Sequence, residues 1–403
     1  VETLRQRLQA NFSETLAQQL QQQEAKLNQL AETLAKQYPE VAELFETTPE
    51  DITRLQKTIP AGTVVIQPVL LTNITNVPNN IAIFILTSDT LTVKKVSINP
   101  QDFNQLIEDY RAILSNRFKG GWRRKGGELY DILIRPIETE IKQLAPQKIA
   151  IIATEKLRYI PFETLYDSSK KQYLLEQYPL HYYTRLSVNS IALQEDTTPT
   201  TTKVLALGNP NPNEPYHLEA AEEEVKSIPN IFPDSEVYIQ KDATLTNFKL
   251  NASRFNFLHL ATHGCFDIEV CCLPNCEEPN HVTLETNTLL FADQNFNIAN
   301  ANELGLSTTE LIIISACKTA LRQNSTGQEI SGIAYLFERV GAKAVMASLW
   351  NAEDDSTKEI MLQFYTNLAQ GMNKTEALTE AKLSQKNRHP AFWSPFILIG
   401  NGQ

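Results

Sequence analysis

The chain has 403 residues, of which 42% are hydrophobic and 21% charged, and it carries a formal net charge of −11. That length and composition suit two or three soluble globular domains with real cores, and the acidic balance argues against a surface built for phosphate backbones. No run reaches the roughly 20 uninterrupted apolar residues that a bilayer span needs; the best, Asn80 to Leu86, is cut short by polar residues on both sides.

The chain opens on Val1 and passes at once into a polar helical pattern, which reads as a fragment or processed product of something longer. Leu4, Leu8, Phe12, Leu16, Leu20, Leu27, Leu30 and Leu34 recur at helical spacing among Gln, Glu and Lys, predicting one long amphipathic helix that Tyr38-Pro39 ends. Thr48-Pro49-Glu50-Asp51 announces a second helix reaching about Thr58, with a capping hydroxyl, a first-turn proline and acids at the positive end. Residues 1–59 therefore read as a helical arm: the end of a repeat array, a short coiled coil or a packing arm. The fragment has no internal repeat.

After Pro60 the texture changes. Thr63 to Leu71 and Ile81 to Leu86 are β-rich runs, and a helix opens at Asn99-Pro100. The glycine-flanked basic run Lys119-Gly-Gly-Trp-Arg-Arg-Lys-Gly-Gly127 reads as a solvated mobile loop rather than a nucleic-acid contact. Apolar runs at Lys148 to Ala153, Lys203 to Gly208, Phe255 to Ala261, Leu311 to Ala316 and Lys343 to Leu349 alternate with helical stretches, which predicts parallel strands covered by helices on both faces. The Thr- and Pro-containing segment Asp196 to Thr202 marks a boundary, so the expected units are 60–200 and 201–403. The five cysteines, Cys265, Cys271, Cys272, Cys276 and Cys317, make a poor disulfide framework for a chain this size and favour a reducing, cytoplasmic setting.

In open α/β sheets ligands bind beyond the carboxyl ends of strands. Two such ends carry chemistry: Phe257-Leu-His-Leu-Ala-Thr-His-Gly264 ends on His263, and Ile312-Ile-Ile-Ser-Ala-Cys317 ends on a cysteine. The two meet only if their strands are neighbours. A free thiol with a pKa near about 8.5 is mostly protonated at neutral pH, and an adjacent imidazole takes its proton during attack. The N–H groups of Gly264 and Cys317 are candidate oxyanion donors. By spacing alone a strand-end cysteine is usually core and a strand-end histidine usually structural. His259, inside the strand, reads as a residue satisfying a buried polar partner.

Ordered matches at Ala261-Thr-His-Gly264, Leu289 to Asp293, Ser315-Ala-Cys-Lys-Thr319, Gly327-Gln-Glu-Ile330, Phe337 to Ala342, Ala347-Ser-Leu-Trp350 and His389 to Phe396 resemble the CHAT family, bacterial relatives of separases and caspases. Leu129 to Pro136, Arg158 to Leu165 and Tyr173 to Glu176 resemble that family's non-catalytic subdomain, and the resemblance runs from Pro60 to the C-terminus. It implies a caspase-like three-layer α/β/α fold in two halves, a non-catalytic subdomain over 60–200 and a catalytic one over 201–403. It further implies a Cys317 nucleophile with His263 as acid/base, no metal and no cofactor, and we nominate no third orienting residue. In separase-like relatives, acids in the loop after the fifth strand line the pocket for the residue before the cut. Asp354 and Asp355 are thus candidates to hold a basic P1 side chain, with capping of the next helix the equal alternative; Glu329 is a further candidate.

The insert Cys265 to Cys276, with His281 beyond, departs from the family pattern. Its spacing fits the common zinc frameworks badly, and redox-sensitive loop thiols are the alternative. The expectation is a cysteine endopeptidase acting on a protein substrate, with a regulatory protein partner engaged through the N-terminal helices and neither nucleic acid nor membrane involved. The rival is a scaffold of the same fold that does not cut. A serine hydrolase through Ser315 lacks a G-x-S-x-G elbow, and nucleotide-binding glycine loops are missing.

Overall fold

A computed structural model describes residues 51–74, 77–186, 201–211, 213, 216–265, 271–273, 282–285, 287–304, 306, 308–315, 333–334, 336–338, 341–350 and 354–403. The expected helix over Leu4 to Leu34 lies outside them. The described chain begins in α1 (Asp51–Gln56), with turn bonds that carry it to Thr58.

The strands β1 (Thr63–Leu71), β2 (Asn80–Leu86) and β3 (Leu91–Ser97) form an antiparallel meander. The helix α2 (Pro100–Leu114) starts where Asn99 accepts from the N–H groups of Gln101 and Asp102, and it buries Phe103, Leu106, Ile107, Tyr110 and Leu114 at helical spacing. The helices α3 (Trp122–Leu133) and α4 (Glu138–Leu144) lead to β4 (Lys148–Ile151), a short hairpin of β5 (Tyr166–Asp167) and β6 (Gln172–Tyr173), and β7 (Leu180–Tyr182).

The second half runs β8 (Val204–Gly208), α5 (Glu219–Ile231), β9 (Glu236–Ile239), α6 (Leu245–Asn251) and β10 (Phe257–Ala261). Small strands follow: β11 (Gly264–Cys265), β12 (Cys271–Leu273), β13 (Val282–Leu284), β14 (Thr288–Leu290) and β15 (Asn295–Asn297). The chain then forms β16 (Leu311–Ile314), β17 (Ala344–Ser348), α7 (Asp354–Ala369), α8 (Lys374–Leu383), α9 (Pro390–Trp393) and β18 (Phe396–Gly400).

The main sheet has eleven strands in the order β3-β2-β1-β4-β7-β18-β17-β16-β10-β8-β9. The pairs β1/β4, β4/β7, β16/β17, β10/β16, β8/β10 and β8/β9 are parallel, and β17/β18 is antiparallel. Every residue of β4, β8, β10, β16, β17 and β18 is buried, as a sheet covered on both faces requires. The fold is the mostly parallel α/β architecture anticipated. The antiparallel meander β1–β3 and strand β18 depart from the simple alternation of strand and helix.

The two sets of strands are also tied by side chains. The Lys382 ammonium of α8 and the Tyr182 hydroxyl of β7 both donate to the Glu163 carboxylate, all three buried, and Phe162 N–H donates to Tyr182 Oη at 2.8 Å. At the outer edge, β3 exposes Leu91 and Val93 and sends Lys94 Nζ to Glu140 at 2.5 Å.

Two expectations need correction. The basic run is not a loop throughout, because α3 starts at Trp122 within it. Gly126 and Gly127 are buried there, and a Cβ on Gly126 would stand 2.7 Å from Tyr110 Oη, so this glycine permits a close helix approach rather than mobility. Cys265, read as a member of a poor disulfide set, is fully buried and disulfide-bonded.

Candidate active site

Strands β10 and β16 lie side by side and run the same way, Leu260 opposite Ile314, and Ser315 N–H extends the ladder to Leu260 O at 3.1 Å. The sheet therefore meets the condition posed by sequence: the strand leading to His263 neighbours the strand leading to Cys317. Cys317 and Glu329 lie outside the described residues.

His263 is half-buried two residues beyond β10, and Gly264, the first residue of β11, is buried opposite Leu289. The bend is pinned to β14: Leu290 N–H donates to His263 O at 2.9 Å, and the Thr262 hydroxyl donates to Leu290 O. The ring Nε2 of His263 stands 2.9 Å from the main-chain oxygen of Tyr216. A carbonyl only accepts, so Nε2 carries the hydrogen, and in the neutral ring Nδ1 holds the lone pair. Sequence reasoning nominated no orienting group, and this one is main chain. Tyr216 packs with Cys265, Leu284 and Leu290 in a small apolar cluster beside the histidine.

The loop that carries Tyr216 is held by buried Asn209, the residue after β8. Asn209 N–H donates to Ala261 O at 3.1 Å. Its side chain accepts from Leu218 N–H at 3.0 Å, donates to Glu222 Oε2 at 2.8 Å, and lies 3.0 Å from His217 Nδ1. Burial alone would raise the Glu222 carboxyl, but hydrogen bonds from Lys226, Gln240 and Asn209 outweigh it and hold the pKa at about 2.

His259 is fully buried, with Nδ1 2.7 Å from Tyr365 Oη and Nε2 2.7 Å from Glu224 Oε1 and 3.2 Å from Ser315 Oγ. Burial, reinforced by Glu224, pushes the Tyr365 hydroxyl well above its ordinary pKa, so it keeps its proton beside Nδ1, while Ser315 Oγ is the hydrogen-bond partner of Nε2. His259 is thus a partnered core residue, and Ser315 belongs to its network. Asp354 and Asp355 open α7; Asp355 is exposed and adds to the dominant effect of Glu223 in raising the Lys358 pKa. Among the described residues there is no cluster of three or more His, Cys, Asp and Glu placed to hold a metal, and no helix long and apolar enough to cross a membrane.

Residues 123–401 match the CHAT domain, well over half of the chain. The chain is similar to human and mouse Tetratricopeptide repeat protein 28, with 23% identity over 319 and 320 residues respectively, and in each case it spans 68% of this chain but 13% of the relative. In structure it is similar to separase in the Saccharomyces cerevisiae separase–securin complex, with a TM-score of 0.51 at 11% identity over 86% of this chain and 30% of that one. At that identity the likeness concerns the fold.

Proposed function

The chain belongs to the CHAT domain family, and from that premise we propose that it is a cysteine endopeptidase in which Cys317 is the nucleophile and His263 the acid/base. The observation that carries this reading is the parallel adjacency of β10 and β16, the strands after which His263 and Cys317 follow in sequence, with His263 held on the Tyr216 carbonyl. The caspase-like layout shared with separase supports it.

In the proposed reaction, His263 Nδ1 takes the Cys317 thiol proton as sulfur attacks the scissile carbonyl. The N–H groups of Gly264 and Cys317 receive the oxyanion. Collapse returns the proton from His263 to the departing amine and leaves a thioester; water, deprotonated by the same nitrogen, resolves it. The chemistry calls for neither metal nor cofactor.

Asp354, Asp355 and Glu329 remain proposals for a basic P1 pocket. For Asp355, exposure at the positive end of α7 supports the capping alternative equally. The division into a helical arm (1–59), a non-catalytic half (60–200) and a catalytic half (201–403) also belongs to this reading. So does a regulatory protein partner reached through the N-terminal helices, supported by the tetratricopeptide repeats named in the curated relatives, of which this chain spans 13%. A cytoplasmic setting is part of the proposal.

The test is cleavage of a fluorogenic peptide library varied at P1, under reducing conditions with chelator, comparing the chain with Cys317→Ala. Cleavage abolished by Cys317→Ala supports the reading, and preference for Arg or Lys supports the acidic pocket. Silence of both proteins, with no selective alkylation of Cys317, favours the non-cleaving scaffold.

A further inference from the structure

The group that fixes the tautomer of His263 is the Tyr216 main-chain oxygen, 2.9 Å from Nε2. Tyr216 belongs to the stretch between β8 and α5, not to a strand, so something must hold its carbonyl to within a few tenths of an ångström. Its own N–H donates to Asn213 O at 2.8 Å, a local turn bond that does not reach the sheet. The two residues that follow it, His217 and Leu218, are both bonded to the side chain of Asn209.

Asn209 is suited to this by three separate features. It is fully buried, it immediately follows β8, and its N–H reaches Ala261 O on β10, the strand that leads to His263. Its φ of +48° lies in the left-handed region, which asparagine tolerates better than most residues. The orientation of its amide is dictated by its neighbours. Leu218 N–H needs an acceptor and the Glu222 carboxylate needs a donor, so the oxygen faces Leu218 and the nitrogen faces Glu222. The second N–H then points at His217 Nδ1, which is accordingly the bare nitrogen of that ring. Glu222 is itself held by Lys226 and Gln240, so the clamp is anchored on α5 and on the residue after β9.

We propose that Asn209 is a positioning residue for the reaction: it clamps the residues after Tyr216 so that the Tyr216 carbonyl selects the Nε2–H tautomer of His263 and frees Nδ1 for the thiol. This rests on the assignment of His263 as the acid/base. Asn209 acts through the Tyr216 carbonyl and His263. A side chain with only a structural role would change the stability of the chain, whereas this one changes the proton distribution on a ring one strand away.

The experiment uses the full chain labelled with ¹⁵N histidine, with the His263 signals assigned by loss in His263→Gln, and it is paired with peptide cleavage. Asn209→Gly keeps the positive φ and deletes the clamp. Asn209→Asp keeps the acceptor for Leu218 but sets a carboxylate against Glu222, and adding Glu222→Gln restores a donor–acceptor pair across that contact.

In the wild type the ring reads as Nε2–H. In Asn209→Gly and Asn209→Asp it shifts toward the other tautomer or a mixture. The turnover number falls at least about tenfold, part of the roughly 10²–10⁴ that a positioned base supplies, while KM stays within about twofold, and the double variant recovers most of both readouts. A folded Asn209→Gly or Asn209→Asp that keeps the wild-type His263 signals and turnover overturns the proposal. Should the wild type cut no peptide, selective alkylation of Cys317 decides separately whether the assignment of the reaction stands, and the tautomer signals alone decide whether Asn209 positions His263.

Discussion

Replacing Lys382 with methionine keeps most of the side-chain volume and removes the ammonium that faces Glu163. Both residues are 2% exposed, so solvent screens neither charge. The carboxylate left behind keeps the Tyr182 hydroxyl as a donor. Burial first, and then Glu163 itself, raise the Tyr182 pKa far above its ordinary value, so that donor persists across the working pH range. One neutral hydrogen bond does not replace a charged partner, and stranding a buried charge costs about 3–5 kcal/mol. Removing both charges together, in Lys382→Met with Glu163→Leu, takes the desolvation penalty away with the attraction, and most of that loss returns. The assay is urea unfolding followed by circular dichroism and by tryptophan fluorescence, since Trp393 and Trp122 both pack in this half-to-half region through Tyr173. A Lys382→Met protein that loses under about 1 kcal/mol, or a double variant no more stable than the single, refutes the reasoning that this buried pair joins the two halves.

Two further outcomes follow from the geometry. In Gly126→Ala the new methyl stands 2.7 Å from Tyr110 Oη, whose single hydrogen is shared between Thr164 O and Thr164 Oγ1, each 2.9 Å away; the displaced hydroxyl costs about 1–3 kcal/mol, read as a lowered urea midpoint. Burial, opposed weakly by Glu376, holds the Lys148 ammonium at a pKa of about 8 against an ordinary 10.5. The native state thus binds fewer protons than the unfolded chain between those values, so the penalty is full below pH 8 and fades as pH rises toward 10.5. Lys148→Met accordingly stabilises the protein by about 1–3 kcal/mol at pH 7, and the gain over wild type shrinks when unfolding is repeated at pH 10.

Runs buried on both faces announce themselves in sequence, and for that reason β4, β8, β10, β16 and β17 were legible almost residue by residue; β1, buried over its first four residues, was legible from its β-branched run. The strands that escaped were short or ambiguous. β7 is three residues long, β9 is only half-buried, and β18 follows a Ser-Pro turn whose family likeness hid its role as the strand between the two halves. Gly126 and Gly127 read as loop residues because glycine marks turns far more often than tight helix contacts. The meeting of β10 with β16 depends on strand order, which no local pattern encodes. Nor does any residue type signal the Tyr216 carbonyl, since every residue has one. The nearest hint was Asn209-Pro210 directly after a strand, a turn signal whose side-chain bonds only the folded chain reveals.

The edge strand β3 also bears on how copies of this protein would meet. A strand with Leu91 and Val93 bare to water, at the margin of an eleven-stranded sheet, is a template on which another chain can pair and from which a fibre can grow. Lys94 and Lys95 follow at once, so a second copy laid antiparallel along β3 brings lysine against lysine, and Lys94 is in addition drawn to Glu140. The two lysines therefore oppose such pairing, and replacing them with threonine is expected to leave the fold intact while raising the tendency to aggregate.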